Sequence, residues 1–153
     1  MTGLEPSAGA AERNVSLTLH RVSDAPVEAV YAAWTEPEML RRWLAPGNAT
    51  VVRAVAEATV GGTFLIEMRG ADGRKWLTCG RYRDVVPLRR LVHTWRWDGS
   101  DVETLVTVEF EPEEAGRTRL TLTHARFAQE EARDEHVQGW TGCLAKLGDL
   151  WPA

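Results

Sequence analysis

The sequence is poor in cysteine, in excess positive charge and in long apolar runs, and each shortage excludes a class of protein. It has two cysteines in 153 residues, Cys79 and Cys143, and their spacing fits neither a CxxC redox motif nor a metal-binding framework. We expect both to be buried free thiols. No apolar run approaches the roughly 20 residues of a membrane-spanning helix. The net charge is −4, and basic residues alternate with acidic ones, which argues against nucleic acid as a partner.

The start of the chain also lacks the features of a targeting segment. Residues 1–14 have neither the basic start nor the apolar stretch of a signal peptide, so we expect a short disordered lead and a cytoplasmic protein. The rest, residues 15–151, suits a single domain, because globular domains run to about 100–200 residues. Seven tryptophans stand against three phenylalanines and two tyrosines, so indoles supply much of the aromatic volume available to a core.

The hydrophobic pattern predicts a strand, two short helices, a series of strands and one long helix. Residues 15–22 alternate between apolar and polar, as in a half-buried strand. Helical spacing follows from Pro26, and a second short helix begins at Pro37 and ends before Pro46-Gly47. Gly73 is expected at a positive φ in a hairpin turn. The pattern predicts the later strands near residues 50–59, 64–68, 76–86, 91–97, 102–110 and 120–124, and the long helix over residues 129–151.

This order of elements is typical of an α+β fold. Consecutive strands joined by short turns must be antiparallel, and only the last helix is long enough to cover their apolar face. We therefore expect a curved antiparallel sheet wrapped around a long C-terminal helix, with the two short helices after strand 1 closing one end.

Four motifs in order resemble one known family. Residues 22–43 read VSDAPVEAVYAAWTEPEMLRRW, and Gly61-Gly62-x-Phe64 follows. Pro87 then precedes Leu91-Val92-x-Thr94-Trp95, and the last motif is His136-x-x-Gly139-Trp140-x-x-x-Leu144-x-x-Leu147. Together they are similar to the C-terminal domain of the activator of the Hsp90 ATPase, within the SRPBCC superfamily of helix-grip domains (START-like, Bet v 1-like). The resemblance covers residues 15–151.

The resemblance implies a helix-grip fold with a cavity between the curved sheet and the long helix. We expect no cofactor. Leu44 departs from the family, many members of which have a second tryptophan there. The chaperone role belongs to longer eukaryotic members with an additional N-terminal domain, so we do not carry an Hsp90 interaction over to this chain.

If the aromatic face of each strand is the inner one, the ligand-binding residues can be named. Such a lining is mostly apolar with a few polar tips, as in small-molecule pockets, although the same residues could simply pack as core. The predicted ligand-binding residues are Phe64, Ile66, Met68, Trp76, Tyr82, His93, Trp95, Trp97, Val108, Phe110, Leu122, His124, His136, Trp140 and Leu144.

Catalysis would require a titratable group in that cavity. Tyr82, Asp84 and His93 form the best candidate group, since Asp84 is expected on the same face as Tyr82 and His93 lies on the next strand. His93, His124 and His136 have no HxH or HExxH spacing, so we predict no metal site.

Three functions remain open at this point. We favour binding of a small hydrophobic or aromatic molecule without catalysis. The alternatives are an enzyme of the cyclase or hydrolase type that uses the same cavity, and a chaperone-interaction module. We expect no membrane partner. An exposed edge strand could pair two copies as a homodimer, and the ligand's identity stays open.

Overall fold

The computed structural model describes residues 15–152, so the disordered lead expected for residues 1–14 lies outside the described residues. The described part contains three helices, α1 (Val27–Thr35), α2 (Pro37–Trp43) and α3 (Glu130–Asp149). The strands are β1 (Val15–Ser23), β2 (Thr50–Ala56), β3 (Thr63–Arg69), β4 (Lys75–Val86), β5 (Arg90–Trp97), β6 (Thr104–Pro112) and β7 (Thr118–Phe127).

The seven strands form one antiparallel sheet in the order β1-β7-β6-β5-β4-β3-β2. Strand β1 lies at one edge and pairs with β7, its neighbour in the sheet but not in the sequence, and every other pair of neighbouring strands is joined by a short connection. The sheet curls around α3, and α1 and α2 follow β1. The predicted α+β helix-grip architecture is therefore confirmed.

Element boundaries differ from the prediction at several places, and β7 is longer than predicted, over Thr118–Phe127. Strand β6 begins at Thr104 rather than at residue 102, and Val102 is exposed. Strand β2 ends at Ala56, because the chain turns toward Gly61, whose φ is 87°. Helix α3 ends at Asp149, two residues before the predicted end. The hairpin turn at Gly73 has the expected positive φ of 85°.

Strands β4 and β5 approach closely and their register is irregular. At Gly80 the two backbones approach so closely that an added Cβ would lie 1.8 Å from the Thr94 carbonyl oxygen. The backbone N–H of Arg81 donates to the Thr94 hydroxyl at 2.9 Å. The register then shifts between Tyr82 and Asp84. A bulge of this kind increases the local twist of the strand pair.

The core fills the space between the sheet and the helices. Helix α3 packs against β1, β7 and α2, and α1 packs against β6. The Tyr31 ring of α1 meets Phe110 edge-on at 5.3 Å, and Trp34 meets Trp43 at 4.6 Å. The Trp43 indole N–H donates to the Ala33 carbonyl at 2.9 Å, so this buried donor is satisfied. Trp34 and Trp43 therefore tie the short helices to each other, and Tyr31 ties α1 to the sheet.

Candidate functional site

A cavity of about 580 Å³ lies between α3 and the sheet near the β3–β4 turn. It opens to solvent beside that turn. Its wall combines four indoles with small residues from the turn, from the loop after α2 and from α3. The lining residues are Leu44, Pro46, Asn48, Ala49, Met68, Gly70, Ala71, Asp72, Trp76, Trp95, Trp97, Glu135, His136, Gly139, Trp140 and Cys143.

The hollow exists because the helix presents little volume to it. At Gly139 an added Cβ would meet nothing within 4 Å, although a mid-helix glycine costs about 1 kcal/mol relative to alanine. Leu44, the position that departs from the family resemblance, also lies in the wall and is buried. A leucine there is smaller than a tryptophan and leaves more of the space open.

One wall of the cavity is held by a hydrogen bond between the sheet and the helix. The Trp97 indole N–H donates to Nε2 of His136 at 3.0 Å. His136 Nδ1 lies 2.7 Å from the Ala132 carbonyl and donates to it, so the ring is the neutral Nδ1–H tautomer. Burial lowers the pKa of His136. Protonation of Nε2 would remove its ability to accept the Trp97 bond.

A second tryptophan–histidine pair lies behind this wall. The Trp140 indole N–H donates to Nδ1 of His124 at 3.0 Å, and His124 Nε2 donates to the Thr104 hydroxyl at 2.7 Å. The Thr104 hydroxyl in turn donates to the Trp95 carbonyl at 2.9 Å. Every member is satisfied, and burial holds the pKa of His124 well below its usual range. This series of hydrogen bonds fixes Trp140 and β5 in the cavity wall.

Two further lining groups, the Trp95 indole and the Cys143 thiol, are buried. The Trp95 indole N–H has no hydrogen-bond partner among residues 15–152, and an unpaired buried donor of this kind requires an explanation. Burial raises the pKa of the Cys143 thiol to about 12, against the opposing effect of Lys146. Cys143 is therefore a protonated apolar group. Cys79 is also free but only half-buried, so the expected burial holds for Cys143 and not fully for Cys79.

The loop after α2 is fastened to α3 by one lysine. Lys146 Nζ donates to the carbonyls of Ala45 and Ala49, the latter at 3.3 Å. Ala49 and the intervening Pro46 line the cavity. The lysine thus sets the distance between this loop and the helix.

The sequence-predicted ligand residues divide into two groups. Met68, Trp76, Trp95, Trp97, His136 and Trp140 line the cavity. The others are buried in the packed interior and are absent from the cavity wall, where they act as core. This second group comprises Phe64, Ile66, Tyr82, His93, Val108, Phe110, Leu122, His124 and Leu144.

The predicted catalytic group is not assembled, and the expectation for Asp84 is wrong. Tyr82 pairs with His93 across the strands, with ring centroids 5.5 Å apart. The bulge after Tyr82 pairs Asp84 with Val92, on the opposite face from His93. The Asp84 carboxylate accepts from Arg90 at 2.7 Å on the half-exposed surface.

Tyr82 and His93 themselves lie in an apolar environment. The His93 ring stacks on Phe64 at 3.9 Å, and its Nδ1 donates to the Thr94 carbonyl at 2.9 Å. Burial lowers the pKa of His93 to about 4 and raises the pKa of Tyr82. Neither group lines the cavity, so neither can reach a ligand there.

Sequence reasoning missed the parts of the wall that come from loops and from small helix residues. These are Leu44, Pro46, Asn48, Ala49, Gly70, Ala71, Asp72, Glu135 and Gly139. Two signals were available. A glycine inside a helical pattern, such as Gly139, usually has a packing or functional reason, and Leu44 departs from the family resemblance at the closing end of the pocket. Among residues 15–152 no cluster of three His, Cys, Asp or Glu side chains could hold a metal ion, and no helix there is long and apolar enough to cross a membrane.

Comparison with solved structures finds close relatives of this fold. A Chromobacterium violaceum protein is 29% identical, with a TM-score of 0.83, over 91% of this chain and 99% of its own. A Rhodobacter sphaeroides protein is 30% identical, with a TM-score of 0.78, over 89% of this chain and 91% of its own. A Silicibacter pomeroyi protein described as AHSA1 is 27% identical, with a TM-score of 0.79, over 88% and 95%.

The comparison with curated proteins finds no match. A family model does match, over residues 24–151, which includes both short helices, strands β2–β7 and α3. It therefore spans every element that lines the cavity. The chain belongs to the family described as activator of Hsp90 ATPase homolog 1-like protein.

Proposed function

We propose that this protein binds a small, mainly apolar molecule in the cavity between α3 and the sheet. The observation that carries the proposal is the hollow at Gly139, which four indoles and a helix surround without filling. A volume of about 580 Å³ falls within the range of about 300–1,000 Å³ for small-molecule sites. The helix-grip fold supports a ligand-binding domain in general.

The rigidity of the wall supports the same function. Trp97 and Trp140 are both held by hydrogen bonds to histidines, 3.0 Å in each case. A wall that keeps its shape without a ligand loses little conformational entropy when one binds. The open side beside the β3–β4 turn provides an entrance.

The enzyme alternative receives no specific support from the geometry. Tyr82 and His93 are packed in the core, and Asp84 faces the other side of the sheet. The lining groups that could transfer protons are His136, Cys143 and the carboxylates of Asp72 and Glu135. Both ring nitrogens of His136 are engaged, Cys143 is protonated, and the two carboxylates lie on exposed residues at the rim. Binding without catalysis is therefore the function that the site supports best.

Location and partners remain part of the proposal. The free thiols of Cys79 and Cys143 suit a cytoplasmic location, because reducing compartments keep thiols unpaired. The partner that we propose is the small molecule itself. We do not extend the proposal to Hsp90, to nucleic acid or to a second copy of the chain.

Filling the cavity from the helix tests the proposal. In Gly139→Leu the new side chain enters the hollow, so the affinity for Nile red, a neutral apolar dye, is expected to fall at least about tenfold, or about 1.4 kcal/mol. Fluorescence titration measures the affinity. The free energy of unfolding should stay level or rise by up to about 1 kcal/mol, because leucine is a better helix former than glycine.

Gly148→Leu is the matched control. Gly148 lies on the same helix, is exposed, and also has nothing within 4 Å of an added Cβ. It gains the same helix propensity without entering the cavity, so dye affinity should not change. Equal affinity of Gly139→Leu and the unchanged protein would contradict the proposal, as would a wild-type protein that binds no dye.

A further inference from the structure

The charges around the cavity are of one sign. The ionised side chains in its wall are Asp72 and Glu135, and neither lysine nor arginine lines it. His136, the other ionisable group near the entrance, is neutral because its Nε2 accepts from Trp97. A ligand in the cavity therefore faces carboxylates without a cation in the wall.

The apolar wall itself also favours positive charge. The indoles of Trp76, Trp95, Trp97 and Trp140 line one space, and the face of an indole attracts cations through its quadrupole. The chain already shows this preference, because the Arg74 guanidinium lies 6.0 Å from the centroid of the Trp76 ring. Arg74 is mostly exposed and contacts Asp72 only at 3.9 Å, so a ligand can displace it.

Nearby cations do not cancel both carboxylates. Lys146 is engaged by the Ala45 and Ala49 carbonyls, and it is not part of the wall. Arg74 offsets Asp72 in part. Glu135 makes no ion pair among residues 15–152. It therefore remains the uncompensated charge on the helix side of the entrance.

We propose that the cavity selects aromatic ligands that carry a positive charge over neutral and anionic ligands of the same size. This inference rests on the proposed function. The aromatic body lies between the indoles, and the cationic group lies toward Glu135. The indole faces and the carboxylate of Glu135 must both attract the cationic group of the ligand, because each alone contributes only about 0.5–1 kcal/mol to the binding free energy at a partly exposed site.

A matched set of naphthalene derivatives tests the inference. Naphthylmethylamine is cationic at pH 7, naphthylmethanol is neutral, and naphthoate is anionic, while the aromatic body is the same. Isothermal titration calorimetry is expected to give an affinity for the amine about fivefold or more above that for the alcohol, with naphthoate weakest. The preference for the amine should shrink at high salt, because Glu135 is exposed.

Glu135→Gln isolates the carboxylate. It should lower the ratio of amine to alcohol affinity by about two- to threefold and leave the alcohol unchanged. Glu131→Gln is the control, because it removes the same charge from the same helix at an exposed position outside the wall. Its affinity ratio should equal that of the unchanged protein.

The outcomes separate this inference from the proposed function. If the alcohol or naphthoate binds as tightly as the amine while Gly139→Leu still blocks Nile red, the charge preference is wrong and the binding site stands. If the two glutamine variants lower the ratio equally, the charge effect is not specific to Glu135 and the inference is overturned. If neither Nile red nor any naphthalene derivative binds, both proposals fail.

Discussion

The two ends of strand β5 face different parts of the protein interior, one packed and one hollow. The same alternation of inward-facing and outward-facing residues nevertheless runs along the whole strand. Leu91 and His93 face a solid region, which we call the packed end, built with Phe64, Tyr82 and Phe110. Trp97 faces the cavity end, built with Met68, Trp76, His136 and Gly139. Trp95 lies between them and contacts both Phe64 and Trp140.

The two ends differ in the size of the side chains that face the inner side of β5. At the packed end large rings meet from several elements, with Phe64 on His93 at 3.9 Å and Tyr31 on Phe110 at 5.3 Å. At the cavity end the facing residues are small, as at Gly139 and Ala49, or belong to a turn, as at Gly70. A cavity therefore arises from missing partners and not from a different strand pattern.

The largest expected effect comes from emptying the packed end. Phe64→Ala removes a buried ring from three aromatic neighbours, so the free energy of unfolding should fall by about 3–5 kcal/mol. Trp76→Ala removes a larger ring from the cavity end, where the residue is 37% exposed, and should cost less, about 2 kcal/mol. Urea denaturation measures both.

The order of these two values is what tests the comparison. If Trp76→Ala destabilises the protein as much as Phe64→Ala, the two ends do not differ in packing. The affinity for Nile red should fall more in Trp76→Ala than in Phe64→Ala, because Trp76 lines the cavity and Phe64 does not.

The next effect is a dependence of stability on pH that originates at the packed end. The pKa of His93 is lowered from 6.5 to about 4 by burial, so the unfolded chain binds a proton more readily than the folded one. The contribution is complete above pH 6.5 and is lost as the pH falls toward 4. Its size is about 3 kcal/mol, from about 1.4 kcal/mol per pKa unit.

Urea denaturation between pH 7.5 and 4.5 measures this dependence, using two histidine variants. His93→Phe keeps a ring on Phe64 and should reduce the pH dependence by the share that His93 contributes, while the share of His124, whose pKa is also lowered by burial, remains. His136→Gln, at the less buried cavity end, should flatten it less. If His93→Phe does not fold, NMR titration of the wild-type His93 ring decides: a midpoint near 6.5 would refute the prediction.

The fold could be predicted because the sequence signals for its strands, helices and turns each depend only on neighbouring residues. Period-two alternation, Pro37 at a helix start and Gly73 at a positive φ all depend on nearby residues. The Asp84 expectation failed for the same reason. A bulge between Tyr82 and Asp84 depends on how closely β4 approaches β5 at Gly80, and alternation along one strand carries no information about that distance.

The sequence could predict which face of each strand points toward the interior, but not how far the cavity extends along that face. Alternation correctly placed Phe64 and Met68 on the inner side of β3, but it could not show that one is core and the other cavity wall. That distinction depends on residues far away in sequence, such as Gly139 and Pro46. Loop residues have no periodicity, so the whole wall after α2 was missed.

The smallest expected effect concerns that loop. Lys146→Met keeps the aliphatic stem but removes the hydrogen bonds to the Ala45 and Ala49 carbonyls. Because the carbonyls can bind water instead, the free energy of unfolding should fall by only about 1 kcal/mol. Amide hydrogen exchange over residues 45–49 should rise, with no change over β5, because the lysine fastens the cavity end alone.

Lys75→Met is the matched control, since Lys75 is the only other lysine and is exposed. Equal exchange in both variants would show that the loop keeps its position without Lys146, and that the cavity end is held by the tryptophan–histidine pairs instead.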